Sequence, residues 1–274
     1  YLVRLKVSGK ILPEYIFAFH KTTDYWKQVD ALTTTLAQPN LNAESMKEIK
    51  IPLPPSEIQQ QIVNECDIVD QETDQARQAI TAAEQKIEEL VSSVEKTSTL
   101  NQVVNKISDI VNPQEENGTV CYIGLENIES QTGVLSGDTQ SDFSTIKSNK
   151  NAFRRGDILY GKLRPNLNKV VLANVDGICS TDILVLRPSE PNLASFYKHY
   201  FLSEAFNSEV IKTVSGQQLP RTSWEKIERI LVPSSDIRHG VVAEVAQLEG
   251  KITEAQAAID KSIERKNAIL TKYL

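Results

Sequence analysis

Apolar or small residues recur alternately four and three positions apart from Ile62 through Cys66, Val69, Thr73, Ala76, Ile80, Ala83, Ile87 and Leu90 to Val94. That spacing is the seam of a coiled coil, and it predicts one long helix. No proline falls between Pro55 and Pro113, so nothing in the chain forbids a helix as far as residue 97. At 1.5 Å per residue it would be roughly 60 Å long. A second such stripe runs through Val241, Val245, Leu248, Ile252, Ala255 and Ile259, then drifts to Ile263 and Leu270. Neither helix buries its stripe alone, so the two are expected to pair. A folded segment separates them, so the pair is expected to be antiparallel. The alternative is an ordinary amphipathic helix on a globular domain.

The chain also repeats itself, and a repeat decides the architecture. Ile51, Leu53, Pro54, Ile58 and Ile62 fall opposite Ile230, Val232, Pro233, Ile237 and Val241 at a shift of 179. Thr35, Leu41, Met46 and Ile49 match Thr213, Leu219, Trp224 and Ile227 at 178, and Tyr15, Phe19, Tyr25 and Val29 match Phe196, Tyr200, Phe206 and Val210 at 181. LVRL from Leu2 pairs with LVLR from Leu184. Each copy predicts a short strand, a helix with aromatics on one face (Tyr15, Phe19, Trp26; Phe196, Tyr200, Phe206), a polar turn, a short helix, and a strand stopped by proline. Ser56 and Ser235 then stand where an N-cap would open the long helix. Residues 101–182 have no counterpart near the N-terminus. They read as strands, TVCYIGL, DILYGKL, NKVVLANV and ICSTDILVL, between polar or glycine turns.

Composition adds little until charge is placed along the chain. The 274 residues carry a net charge of −6, with 40% hydrophobic residues and no apolar run long enough for a membrane span. Residues 1–55 carry +2, 56–98 carry −7, 99–238 carry −1 and 239–274 none. Inside the third segment, residues 147–169 hold seven cations against Asp157 alone, a local +6. Three distant cysteines, Cys66, Cys121 and Cys179, argue against disulfides and metal pairs and for a reducing cytoplasm. Cys66 on the seam and Cys179 in an apolar strand read as small core residues. His20, His199 and His239 read as surface or half-buried imidazoles. Phosphate loops, dinucleotide fingerprints, zinc-protease and nucleophile-elbow motifs are missing, and no cofactor is expected.

The chemistry that is present suits nucleic acid. NAFRRGDILYGKLRPNLNKV, residues 151–170, interleaves cations with amides and aromatics. Lysine and arginine neutralise phosphates. Arginine also matches a guanine edge, and asparagine or glutamine an adenine edge. Arg154, Arg155, Lys162, Arg164, Asn166, Asn168 and Lys169 are therefore candidate DNA contacts, the alternative being a solvated hairpin. SGQQLPRTSW, residues 215–224, adds Gln217, Gln218 and Arg221, with Thr222 and Ser223 either reading bases or merely capping the short helix of Trp224.

The order of these motifs resembles the specificity subunit of type I restriction–modification enzymes. YIGLENIE from Tyr122, RRGDILYGKLRPNLNKV from Arg154, STDILVLRP from Ser180, SGQQLPRTSW from Ser215 and IPLPPSEIQQQI from Ile51 carry the resemblance, which spans essentially the whole chain. It implies an α+β fold in which β-rich target-recognition domains alternate with long antiparallel coiled-coil helices. The expected division is 1–55, the C-terminal half of a first recognition domain; 56–98, a long coiled-coil helix of the family's type; 99–238, a complete second recognition domain; and 239–274, a second coiled-coil helix. The seam would use Ile62, Val69, Ile80, Ile87, Leu90, Val241, Leu248, Ile252 and Ile259. The resemblance implies a non-catalytic subunit of a bacterial or archaeal cytoplasm. Such a subunit binds a bipartite site on double-stranded DNA, docks DNA adenine methyltransferase subunits and works with a motor–nuclease subunit. The helices would act as a ruler between half-sites. Strands that cover the aromatics in the complete copy are missing from the first, so self-association through the N-terminal domain is expected. The rival readings are the specificity region of a fused methyltransferase and a coiled-coil scaffold without DNA contact.

Overall fold

A computed structural model describes residues 6–33, 41–216, 218–237 and 239–274. LVRL at Leu2, Thr35 and Gln217 lie outside the described residues. The helices are α1 (Pro13–Phe19), α2 (Thr23–Leu32), α3 (Ala43–Met46), α4 (Ser56–Ser93), α5 (Leu100–Val103), α6 (Ala194–Leu202), α7 (Glu204–Lys212), α8 (Trp224–Ile227), α9 (His239–Asp260) and α10 (Ser262–Tyr273). The strands are β1 (Lys96–Thr99), β2 (Val104–Ile107), β3 (Ile110–Val111), β4 (Thr119–Ile123), β5 (Gln140–Asp142), β6 (Lys150–Phe153), β7 (Ile158–Gly161), β8 (Val170–Leu172), β9 (Gly177–Cys179), β10 (Ile183–Pro188) and β11 (Leu231–Pro233). The chain is α+β and divides into two compact units, residues 1–83 with 250–274, and residues 84–249. No helix among the described residues is long and apolar enough to cross a membrane.

The first unit is helical. Its core is Tyr15, Ala18, Phe19, Ile62, Val63, Cys66 and Leu270. Tyr15 and Phe19 are therefore covered by α4 and α10 rather than by strands, which corrects the expectation that both await an absent sheet. Phe17 and Trp26 do remain exposed. Ion pairs join Glu65 to Lys272, Asp70 to Lys266 and Glu72 to Arg265, so numbers rise on α4 as they fall on α10, and the pairing is antiparallel. Gln59 is fully buried and wholly satisfied. Its Oε1 accepts from the Leu12 amide at 2.8 Å, and its Nε2 donates to the carbonyls of Lys10 and Pro54 at 3.0 and 2.8 Å.

The two long helices show where the heptad reading holds and where it slips. Ile62, Cys66, Val69, Thr73, Ala83 and Ile87 are buried, and Ala76, Ile80, Leu90 and Val94 are half-buried. On the second stripe Val245 is buried, and Val241, Leu248, Ile252, Ala255 and Ile259 are half-buried. The helix is interrupted at Lys261 between α9 and α10. The break leaves the phase intact: the count of threes and fours from Ile259 continues through Ser262, Lys266, Ile269 and Tyr273, which take the inner face with Leu270, while Ile263 turns outward at 55% exposed and departs from the expected stripe. The first helix stops at Ser93 rather than near 97, because Lys96–Thr99 leaves to pair antiparallel with β11.

The second unit carries the sheets. The order β2-β10-β7-β8 is antiparallel throughout, and β3-β6-β9-β4-β5 is antiparallel except for the β4–β9 pair. The segment ICSTDILVL is two strands, β9 and β10, parted by the turn at Ser180–Asp182. All four residues of β7 are buried. Leu159 faces a cluster with Ile123, Phe153, Val171 and Val185, while Tyr160 packs its ring edge-on to Phe206 of α7 at 6.0 Å. A strand covered on both faces shows no polar alternation. Phe196, Tyr197, Tyr200, Phe201 and Phe206 are fully buried, each contributing about 1.5–3 kcal/mol of apolar burial.

The repeat survives as shared hydrogen bonds. The single aromatic helix expected in each copy is two helices, broken at the same place. Thr22 donates to the Phe19 carbonyl at 2.6 Å and accepts from the Tyr25 amide, and Ser203 donates to the Tyr200 carbonyl at 2.6 Å and accepts from the Phe206 amide. A hydroxyl that caps one helix while closing the previous one fixes the bend. The Tyr15 hydroxyl donates to the Pro52 carbonyl at 3.0 Å and that of Tyr197 to the Pro233 carbonyl at 3.2 Å, a similar bond made out of the register that sets Tyr15 opposite Phe196 and Pro54 opposite Pro233.

Candidate nucleic-acid interface

The basic segment read as one patch is two. Arg154 and Arg155 precede β7, whereas Lys162 and Arg164 follow it, so a four-residue strand, about 13 Å long, separates them. The first turn is built on Asp157, whose carboxylate is 1% exposed. It accepts the Arg154 amide at 2.8 Å and both Nε and Nη2 of Arg187 at 2.7 and 2.8 Å. Gly156, at φ +91, makes the turn possible. Arg154 and Arg155 point outward from it.

At the other end of β7 two loops are laced together through their backbones. Lys162 N donates to the Asp182 carbonyl at 2.9 Å, Arg164 N to the Pro220 carbonyl at 2.7 Å, and Thr222 N to the Lys162 carbonyl at 3.0 Å. Ser215 and Arg221 exchange both amide hydrogen bonds at 3.1 and 3.0 Å, and Leu163 bridges Arg221. Gly216, at φ +96, turns the second loop. Arg164 and Asn168 both adopt left-handed backbone, φ 50° and 43°, on either side of the turn Pro165–Leu167. Such geometry in non-glycine residues costs about 1 kcal/mol or more and persists where surroundings impose it. Here the imposing contacts are the Arg164–Pro220 bond and the Asn168 side chain.

The candidate residues are therefore not equivalent. Arg164, Asn166, Gln218 and Arg221 are exposed at this tip, and Lys162 is half-buried. Asn168 is 2% exposed; its Nδ2 donates to the Leu202 carbonyl at 2.7 Å. Its side chain is turned inward and shapes the loop. Lys169 is half-buried with its ammonium donating to the Leu125 carbonyl at 2.6 Å. Thr222 is buried against Thr213, Oγ1 to Oγ1 2.8 Å, and neither it nor Ser223 caps α8 through its side chain. Two further cations join the tip that sequence reasoning missed, because neither lies in a basic run. Lys226 donates to the Ser215 hydroxyl at 2.7 Å. Lys106 lies exposed on β2, near enough that its charge and that of Lys162 help hold the Glu225 carboxyl below its usual range, after the larger effects of hydrogen bonds from its own amide and the Ser223 hydroxyl.

All three cysteines are buried free thiols, and burial pushes Cys66 up to about 11 and Cys179 to about 12. Among the described residues no three His, Cys, Asp or Glu side chains are grouped as metal ligands.

An α+β chain that pairs a repeated helical motif with a β-rich module and a rigid basic tip is the class defined by these observations. Residues 1–85 match the family described as the Type I restriction modification DNA specificity domain. The chain is 27% identical over 176 residues to the Type I restriction enzyme EcoDI specificity subunit of Escherichia coli, covering 64% of this chain and 39% of that protein. It thus spans well under half the length of that curated relative. Among solved structures, the Type-I restriction-modification system S subunit from M. genitalium superposes with a TM-score of 0.56 at 15% identity, over 97% of this chain and 73% of the other. The HsdS subunit from Thermoanaerobacter tengcongensis gives 0.46 at 17% identity, over 96% and 70%. The chain is similar to the specificity subunits of type I restriction–modification enzymes, as the order of its motifs implies, and it shares their fold.

Proposed function

We propose that this chain is a non-catalytic DNA-recognition subunit whose second unit reads duplex DNA with the tip formed by residues 162–168 and 215–221. The observation that carries this reading is the backbone lacing of the two loops, which presents Arg164, Asn166, Gln218 and Arg221 together on one rigid edge. Base readout needs side chains held in fixed register, and phosphate contacts supply the register. Arg154 and Arg155, on the far side of β7, are left for phosphates outside the bases that the tip reads. The acidic outer face of α4 repels phosphate and is left for protein: methyltransferase subunits, with a motor–nuclease subunit completing the complex. A cytoplasmic setting follows from that role.

The test is duplex binding by fluorescence anisotropy at several salt concentrations. Neutralising Lys162, Arg164 and Arg221 together should weaken binding to every sequence. It should also reduce the slope of log K against log salt by about 0.9 for each phosphate that the variant no longer neutralises. An unchanged slope with intact folding refutes the reading. A scaffold without DNA contact would bind no duplex at any salt.

A further inference from the structure

Arg221 differs from the other cations of the tip in how much of it is already fixed. Its backbone is held by the reciprocal pair with Ser215 and by the bridge to Leu163. Its Nη2 donates to Asp182 Oδ2 at 3.3 Å, and the Asp182 carbonyl in turn holds Lys162 N at 2.9 Å. Nε and Nη1 of Arg221 have no partner among the described residues. A carboxylate at the edge of a DNA-facing surface repels phosphate and is worth having only if it does something else. Here it anchors one nitrogen of a guanidinium that is 48% exposed. Arginine loses much rotamer entropy on binding, and a fork oriented beforehand loses less.

We propose that Arg221, positioned by Asp182, is a guanine-reading residue of this chain, an inference that rests on the tip being the DNA-binding edge. Guanine offers two acceptors, N7 and O6, in the major groove, matching two parallel N–H donors, a pair that the second N–H of Arg221 Nη2 makes with Nε or Nη1. Adenine places an amino donor where O6 would be, and cytosine offers a donor. Lys162 and Arg164 beside the fork supply phosphate contacts that set its height over the base. Asp182 acts through Arg221 and is a positioning residue.

The experiment uses the full chain and a duplex library with a randomised core, sequenced after selection. Wild type should enrich guanine at one position. R221A, R221K and D182N should each lose that enrichment, roughly 5- to 150-fold in discrimination, while affinity for unselected duplex changes far less for R221K, which keeps the charge. D182E should restore part of the preference. A second arm leaves the protein untouched. Replacing the selected guanine with 7-deazaguanine removes N7 but keeps O6, so it should cost wild type part of the discrimination that R221A loses, with no further effect on R221A. Selective binding that survives R221A or D182N, or indifference of wild type to 7-deazaguanine, overturns the assignment and leaves the DNA-binding edge standing. No duplex binding by wild type overturns both.

Discussion

Lys266 presents the sharpest energetic question in the first unit. It occupies an inner position of α10, is 5% exposed, and pairs with Asp70 Oδ1. The other carboxylate oxygen takes Lys21 at 2.9 Å, and Asp70 itself is 34% exposed. Burial pushes the Asp70 carboxyl up, yet the hydrogen bonds and charges of Lys266 and Lys21 outweigh burial and hold it below its usual range. Asp70→Asn leaves the ammonium of Lys266 buried without a counter-charge. Breaking a fully buried pair costs about 3–5 kcal/mol; with Asp70 partly solvated, about 1.5–3 kcal/mol is expected. Lys266→Met keeps the stem, removes the charge, and leaves Asp70 with Lys21, so it should fall within about 1 kcal/mol of wild type. Hydrogen exchange read by mass spectrometry on peptides from 262–273 measures the local opening. D70N should raise it roughly 10- to 150-fold, and K266M much less. Because the folded carboxyl is depressed, its stabilisation is complete above the unfolded value near 3.9 and is lost as pH falls through the folded value. The gap between wild type and D70N should therefore close in acid. Equal effects of D70N and K266M, or a gap indifferent to pH, would refute the argument.

The remaining predictions concern the second unit, where Trp224 reports alone once Trp26 is replaced by phenylalanine, since the chain has two tryptophans. Asp157→Asn should lower urea stability by about 2–3 kcal/mol, because three hydrogen bonds to one buried carboxylate lose their charge. His199 is held below its ordinary value by burial first and then by the charge of Lys198, partly offset by Glu249. The unfolded chain thus takes up a proton that the fold resists, so stability should fall as pH drops below about 6.5, and His199→Gln should flatten that limb. Burial pushes the carboxyl of Glu249 on α9 up, but bonds from His199, Ser195 and Lys198, with the Lys198 charge, overcome it and hold the group far below its usual range. Its contribution should persist from neutral pH to about pH 4, so Glu249→Gln should destabilise as much at pH 5 as at pH 7 and less as pH falls further. Gly177→Ala should cost about 1–3 kcal/mol by overpacking, since a methyl there meets the Cys121 carbonyl and the Phe153 ring.

What the sequence discloses and what it hides follows from which forces leave a periodic trace. The seam from Ile62 to Val94 is a repeat of one force, burial along one helix face, and can be read by counting. The inner face of α10 is harder to read, because the count of threes and fours lands on Ser262 and Lys266 while the apolar side chain beside them is Ile263, and only pairing with Asp70 makes a buried lysine tolerable. β1 is hidden for a different reason. KTST has no apolar alternation, and its place in a strand is set by β11, more than 130 residues away. The basic segment looks continuous in sequence because β7 is buried on both faces and leaves no polar position to mark where the chain crosses the module. Asn168 looks like a contact because an amide that shapes a loop and an amide that reads a base are the same residue in sequence. Thr22 and Ser203 are legible as caps in principle, yet the aromatics on both sides make each helix pair look like one.

The same physics separates the parts of the tip that hold it from the parts that can vary. Among the described residues, every bond lacing 162–164 to 215–222 runs between main-chain groups. Such bonds are indifferent to side-chain identity, except where backbone conformation depends on it, at Gly216 and at the left-handed Arg164 and Asn168. Replacing Asn166, Gln218 or Arg221 therefore removes no support from the loops, whereas a β-branched or bulky residue at Gly216, Arg164 or Asn168 does. An edge built this way can change its exposed side chains without refolding. Its tolerance to substitution at the exposed positions and its intolerance at the three positions of left-handed backbone are consequences of one construction. The exception at Arg221 is electrostatic: its carboxylate partner Asp182 sits on the turn into β10, so a change at either residue alone leaves an unmatched charge at the edge while the laced backbone stays in place.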